Sequence, residues 1–254
     1  MKGKSAYFFT YWDDLPNGIG FDLFGDAHLF WLIGIVVTII CLTILYQHLH
    51  TSGHRRMDRI TGWILVTLIL VRTCYLLILS KQTVFDLPLH LCSLAGFLSL
   101  LHAYRKWEWL DQTIYSICLP GTVFALVFPD WTRYPAIHFI SIEGFLFHAG
   151  IVLYAVCQIT SRSIIPSLRK IWKAFLFLAI AAFGVWLFDK KIGTNYMFLN
   201  WPPAGSPLEW MAARIGNPGY LAGYAVLVVL IPIAMDLVYR LFFDPQAHHT
   251  NKDT

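Results

Sequence analysis

Cys92 stands two residues after His90 in the run Leu87-Pro88-Leu89-His90-Leu91-Cys92-Ser93, a thiol set in an apolar stretch. A cysteine with a histidine in reach can become a thiolate and carry an acyl group as a thioester. His138 and His148 stand in a second apolar stretch, and His138 matches Cys92 in depth if both spans start near their proline-flanked outer ends. His90 is about 200° around a straight helix from Cys92, which removes it as the partner base. Arg72, His90, Asp130, Glu143 and His28 are further polar groups in or at the ends of apolar runs. Asn195 and Tyr196 follow in a connection. Such groups inside apolar segments are costly and mark interior sites, so they are the candidates for holding a polar substrate.

Spacing limits the chemistry. His138, Ser141 and His148 share an arc of about 80°, but the two histidines differ in depth by about 15 Å. They cannot hold one metal ion on an unbroken helix. A seven-helix zinc hydrolase of the ceramidase type needs histidines one turn apart on its last helix, and Tyr220–Leu241 has none. His-Glu-x-x-His, Walker and Gly-x-Ser-x-Gly patterns are absent as well. No metal and no cofactor is expected. Glu143 points about 140° away from His138 and is expected to meet Arg72 as a buried ion pair. A competing role for Cys92 is packing, since Cys92, Gly96, Ser99 and Ala103 form a small-residue stripe.

The elements that must position these groups follow from composition. Of 254 residues, 57% are apolar and only 13% charged, with mean hydropathy +0.58. Soluble domains carry roughly a quarter charged residues. This excludes a soluble enzyme, a disulfide-stapled module and a nucleic-acid-binding domain. The five cysteines all lie in apolar runs. The expected fold is all-α: one polytopic domain over 1–254, with seven spans at roughly 28–47, 60–80, 87–104, 110–128, 135–157, 171–188 and 218–241. Residues 1–27 are acidic and aromatic-rich, which suits an interfacial segment. The connection 189–217 contains Ser206-Pro207-Leu208-Glu209, the start of a short interfacial helix, which Gly216-Asn217-Pro218 ends.

Orientation follows the basic residues. Eleven (Arg55, Arg56, Arg59, Arg105, Lys106, Arg162, Arg169, Lys170, Lys173, Arg240, Lys252) fall on one side and seven (Lys2, Lys4, Lys81, Arg133, Lys190, Lys191, Arg214) on the other. The positive-inside rule puts the N-terminus outside and the C-terminus in the cytoplasm. The intramembrane polar residues then gather in the outer half.

The Leu-Pro-Leu-His-Leu-Cys block resembles the signature of the YwaF-like integral membrane proteins of bacteria. So do Phe24-Gly25 with His28, Pro129-Asp130, His138-Phe139, His148-Ala149-Gly150 and Gly193-Thr194-Asn195-Tyr196-Met197-Phe198. The resemblance implies seven helices and a multi-pass protein of the bacterial plasma membrane. That family is distantly similar to an animal transmembrane acyltransferase acting on lyso-ether phospholipids through a cysteine acyl-enzyme. By that resemblance Cys92 is the acyl-carrying nucleophile, and His138 or His148 its base. The expected activity is CoA-independent transfer of an acyl chain between phospholipid and lyso-lipid in the outer leaflet. The expected partners are those lipids and the membrane, without nucleic acid. The alternative is a seven-helix transporter or ligand-binding bundle whose outer polar cluster binds a small molecule or lipid.

Overall fold

The computed structural model describes residues 7–243, the side chains of 242 and 243 excepted. Lys2, Lys4 and Lys252, which enter the orientation argument, lie outside them. The described residues form helices and no strands: α1 (Asp26–Gln47), α2 (Thr51–Ile78), α3 (Leu91–Tyr104), α4 (Glu108–Val127), α5 (Phe139–Thr160), α6 (Trp172–Ile192), α7 (Pro207–Ile215) and α8 (Tyr220–Phe243). Six of them (α1, α2, α4, α5, α6 and α8) are long and apolar enough to cross a membrane. α3 is a shorter apolar helix of 14 residues.

Against the seven expected spans, the difference lies at α3. Pro88 lacks an amide proton and pushes Leu87 away from helical angles, so residues 80–90 stay irregular and the helix starts only after His90. Fourteen residues rise about 21 Å, short of a hydrocarbon core of about 30 Å. Irregular backbone at membrane depth persists where it is covered by protein or lines a cavity. In the other direction, α2 begins at Thr51 and carries Arg55, Arg56, Asp58 and Arg59 within its first turns. Its 28 residues rise about 42 Å, more than the hydrocarbon core needs.

α4 and α5 are the centre of the bundle: 56% and 61% of their apolar windows are buried, against 28% or less for the other spanning helices. α4 opens into a π-helical turn at Ile114–Cys118, just before Pro120. The proline ring would crowd the carbonyl four residues back, and the wider turn relieves it. Small residues set the closest approaches. A methyl on Gly62 would lie 2.8 Å from Leu100 Cα, and one on Gly96 would lie 3.1 Å from the Phe147 ring. The small-residue stripe of α3 therefore does pack, with Gly96, Ser99 and Ala103 buried, while Cys92 at its end is only partly covered.

At the Lys106 end, five helices are tied by buried polar groups. Asp58 accepts from Tyr46 (3.0 Å), from Gln158 (2.6 Å) and from Lys106 (3.1 Å). Next to it, His102 donates from Nε2 to Asp111 (2.8 Å) and its Nδ1 meets the Tyr154 hydroxyl at 2.8 Å. At the other end the N-terminal segment lies across the helix ends. Tyr75 donates to the Phe9 carbonyl (3.1 Å), Phe139 N–H to Phe8 (3.1 Å) and Phe21 N–H to Thr132 (3.0 Å).

Candidate functional site

The irregular segment and the late start of α3 put Cys92 at the second helical position, at the end of the bundle that holds His90. The first amides of a helix lack partners and its N-terminus carries partial positive charge. Trp131, next to Asp130, stacks on His148 (5.1 Å), Phe147 beside it packs on Gly96, one turn from Cys92, and Arg72 meets Glu143, one turn before Phe147 on α5. Cys92, His90, Arg72, Asp130 and His148 thus share one region, drawn from α2, α3, α5 and the residues after α4.

Arg72 sits inside a spanning helix, yet its side chain is 46% exposed, and its Nη1 stands 3.8 Å from Oε2 of Glu143, which is 5% exposed. That is an ion contact beyond hydrogen-bond range. The expected pair forms, but loosely: Glu143 Oε2 has no hydrogen-bond partner among the described residues. Arg72 keeps donors for a second anion, the planar fork that suits phosphate or carboxylate.

The histidines separate by what holds their ring nitrogens. His28 accepts from Phe24 N–H at Nδ1 (3.0 Å) and donates from Nε2 to the Leu126 carbonyl (2.9 Å). His138 caps α5, accepting from Ile140 N–H (3.1 Å) and donating to the Thr10 carbonyl (2.9 Å). Burial pushes its pKa down, partly offset by the Thr10 bond. Both rings are saturated, and the structure brings neither to the cluster as a base. His148 donates from Nδ1 to the Gly144 carbonyl (2.7 Å) and has no hydrogen-bond partner at Nε2 among the described residues. Its ring stacks on Trp131 at 5.1 Å. No hydrogen bond joins it to Cys92. Gly96 packs on Phe147, and Cys92 lies one turn before Gly96, so His148 is roughly one turn deeper than the thiol.

The connection after α6 covers His90. Gly193 ends α6 in the left-handed region (φ +83°), and Asp189 then accepts from the Thr194 hydroxyl (2.6 Å) and Tyr196 N–H (3.1 Å). Tyr196 accepts from Leu87 N–H (2.8 Å) and donates to the Val84 carbonyl (2.5 Å). Its ring lies 4.9 Å from that of His90. Burial pushes its pKa up to about 12. Tyr196 is therefore a brace on the segment that leads into Cys92. Asn195 braces the connection itself, donating to the Trp201 carbonyl (2.8 Å) and accepting from Asn200 N–H (2.9 Å). Met197 and Phe198 hold positive φ (52° and 56°), a costly conformation for such side chains. The short helix α7 forms as its sequence predicts: Ser206 caps Glu209 N–H (3.3 Å), and Glu209 accepts from Gly205 N–H (2.7 Å).

Two residues of this region escape a reading of the sequence. Asp189 carries a signal, a carboxylate in the last apolar turn of α6. Trp131 follows Asp130 and packs on Gly144. Among the described residues no group of three or more His, Cys, Asp or Glu is arranged to hold a metal ion.

No curated protein and no solved structure matches the chain. A family model does, that of the TMEM164 family, over residues 23–236. The match takes in every helix from α1 into α8 and every residue of the site, and the chain belongs to the TMEM164 family.

Proposed function

We propose that the protein is a membrane-embedded acyltransferase that moves a fatty acyl chain between phospholipid and lyso-lipid, held between the two steps as a thioester on Cys92. The observation that carries this reading is a half-buried cysteine at a helix N-terminus, in one region with a histidine whose Nε2 has no hydrogen-bond partner among the described residues. The Cys92 sulfur attacks the ester carbonyl of a donor lipid, and His148 Nε2 takes the thiol proton over a bridging water. The ester C–O bond breaks, and the leaving lyso-lipid oxygen receives that proton. In the second half the hydroxyl of an acceptor lyso-lipid attacks the thioester. Its proton passes to His148, and the departing sulfur recovers it. Arg72 binds the lipid phosphate, with His90 and Asp130 at the rim.

The resemblance of the Leu87–Ser93 block to the YwaF-like proteins points the same way, as does the basic-residue bias, which turns this end outward from a bacterial plasma membrane. Coenzyme A thioesters do not reach an outward site, so the donor is itself a phospholipid. The test is to incubate the purified chain with acyl-labelled phospholipid and lyso-acceptor, then to assay protein-bound label that hydroxylamine releases. Label on the wild type, lost in Cys92→Ala, supports the thioester. Transfer unchanged in both Cys92→Ser and Cys92→Ala would overturn it. Saturable lipid binding without turnover would favour a ligand-binding bundle.

A further inference from the structure

The opposite end of the bundle carries a second surface, independent of Cys92. Ser52, Arg55, Arg56, Arg59, Trp63 and Thr67 recur at spacings of three and four along α2, so they share one helix face. All three arginines are exposed, and among the described residues none of them is within ion-pair distance of a carboxylate. Arg59 and Trp63 are held in place by α3: the Arg59 guanidinium lies 4.7 Å over the Tyr104 ring, and the Trp63 indole donates to the Tyr104 hydroxyl (3.1 Å). An open groove of about 690 Å³ runs along this face. Its floor changes character along its length, from the arginines and Ser52 to Ile60, Ile64 and Leu68.

That gradient matches one kind of molecule. α2 outruns the hydrocarbon core, so its first two turns lie at headgroup level and Ile64 and Leu68 at acyl-chain level. Tryptophan at Trp63 sits where aromatic residues anchor the interface. Three unneutralised guanidiniums attract a phosphate of net negative charge and disfavour a headgroup that also carries an ammonium. A free phosphate ion would leave the apolar floor uncovered.

We propose that this face of α2 binds one phospholipid of net negative charge, with its phosphate on Arg55, Arg56 and Arg59 and an acyl chain along Ile60, Ile64 and Leu68. The test uses the full chain in detergent micelles doped with equal amounts of phosphatidylglycerol and phosphatidylcholine, read by native mass spectrometry. The wild type retains a phosphatidylglycerol adduct in preference to phosphatidylcholine. The variant R55Q/R56Q/R59Q loses that preference about tenfold or more, while Cys92→Ala keeps it. Inorganic phosphate at the same concentration does not displace the adduct.

A second measurement does not depend on the variant folding. In vesicles of the same two lipids, bromine on the phosphatidylglycerol chains quenches the Trp63 share of fluorescence, taken as wild type minus Trp63→Phe, more than bromine on phosphatidylcholine. Equal quenching by the two lipids, equal retention of them by the wild type, or a triple variant that keeps its preference would each overturn the proposal. Displacement by inorganic phosphate would overturn the lipid in favour of a simple anion.

Discussion

Nδ1 of His148 lies 2.7 Å from the carbonyl oxygen of Gly144, one turn earlier on α5. A carbonyl only accepts, so Nδ1 carries the proton and the neutral ring presents an unprotonated Nε2. The same accounting at His28 and His138 finds both nitrogens used, one accepting from an amide and one donating to a carbonyl. Of these three histidines, only His148 keeps a ring nitrogen without a hydrogen-bond partner among the described residues.

His148→Gln is expected to lower acyl transfer by at least about 10²-fold, the scale of losing a general base, with the thermal midpoint little changed. His138→Gln is expected to do the reverse, since it removes a cap worth about 1 kcal/mol and leaves activity per folded molecule intact. Paired activity and melting measurements on the two variants check this. Full transfer by His148→Gln would remove it as the base.

Tyr196→Phe strips the partner from Leu87 N–H and from the Val84 carbonyl together. The expected cost is about 1–3 kcal/mol, concentrated in the segment before α3. Hydrogen exchange should show faster opening at Val84–Leu91 and none at the Lys106 end.

Lys106→Met leaves Asp58 with Tyr46 and Gln158 alone. Because the lysine is 39% exposed, the loss should be nearer 2 kcal/mol than the larger cost of breaking a fully buried pair. Asp58→Asn in the Lys106→Met background should restore part of the melting temperature. Strictly additive losses would show that the two residues do not interact.

Acid should destabilise the fold through His138. Its pKa is lowered by burial below the ordinary value, so the unfolded chain takes up the proton first. Stability from this group is present above about pH 6.5 and is lost as pH falls through the lowered value. Urea midpoints of wild type and His138→Gln should therefore converge as the pH drops below that point, and parallel curves would contradict the assignment.

Much of the architecture is legible in local sequence. Hydropathy sums over a short window, so α1, α4, α5, α6 and α8 lie close to their expected positions, and Ser206-Pro207 with Glu209 announces the cap of α7. Pro88 also announces that the chain before Leu91 is not helical, though its consequence needs the whole bundle. The shortened α3 matters because the irregular segment before it is braced by Tyr196, more than a hundred residues away.

What the sequence by itself determined is the solvent of this chain, its helices and the residues that are anomalous within them. Those depend on composition and on neighbours within a turn or two. Only the tertiary structure decided what the anomalies do. His138 and His148 are the same residue type on the same helix face by local geometry, and they part because a carbonyl from Thr10 reaches one ring and nothing described reaches Nε2 of the other. The Asp58 network likewise joins residues 46, 58, 106 and 158, whose contact no spacing along the chain reveals. A side chain's chemistry is set by the partners that satisfy it, and in a helical bundle those partners come from other helices.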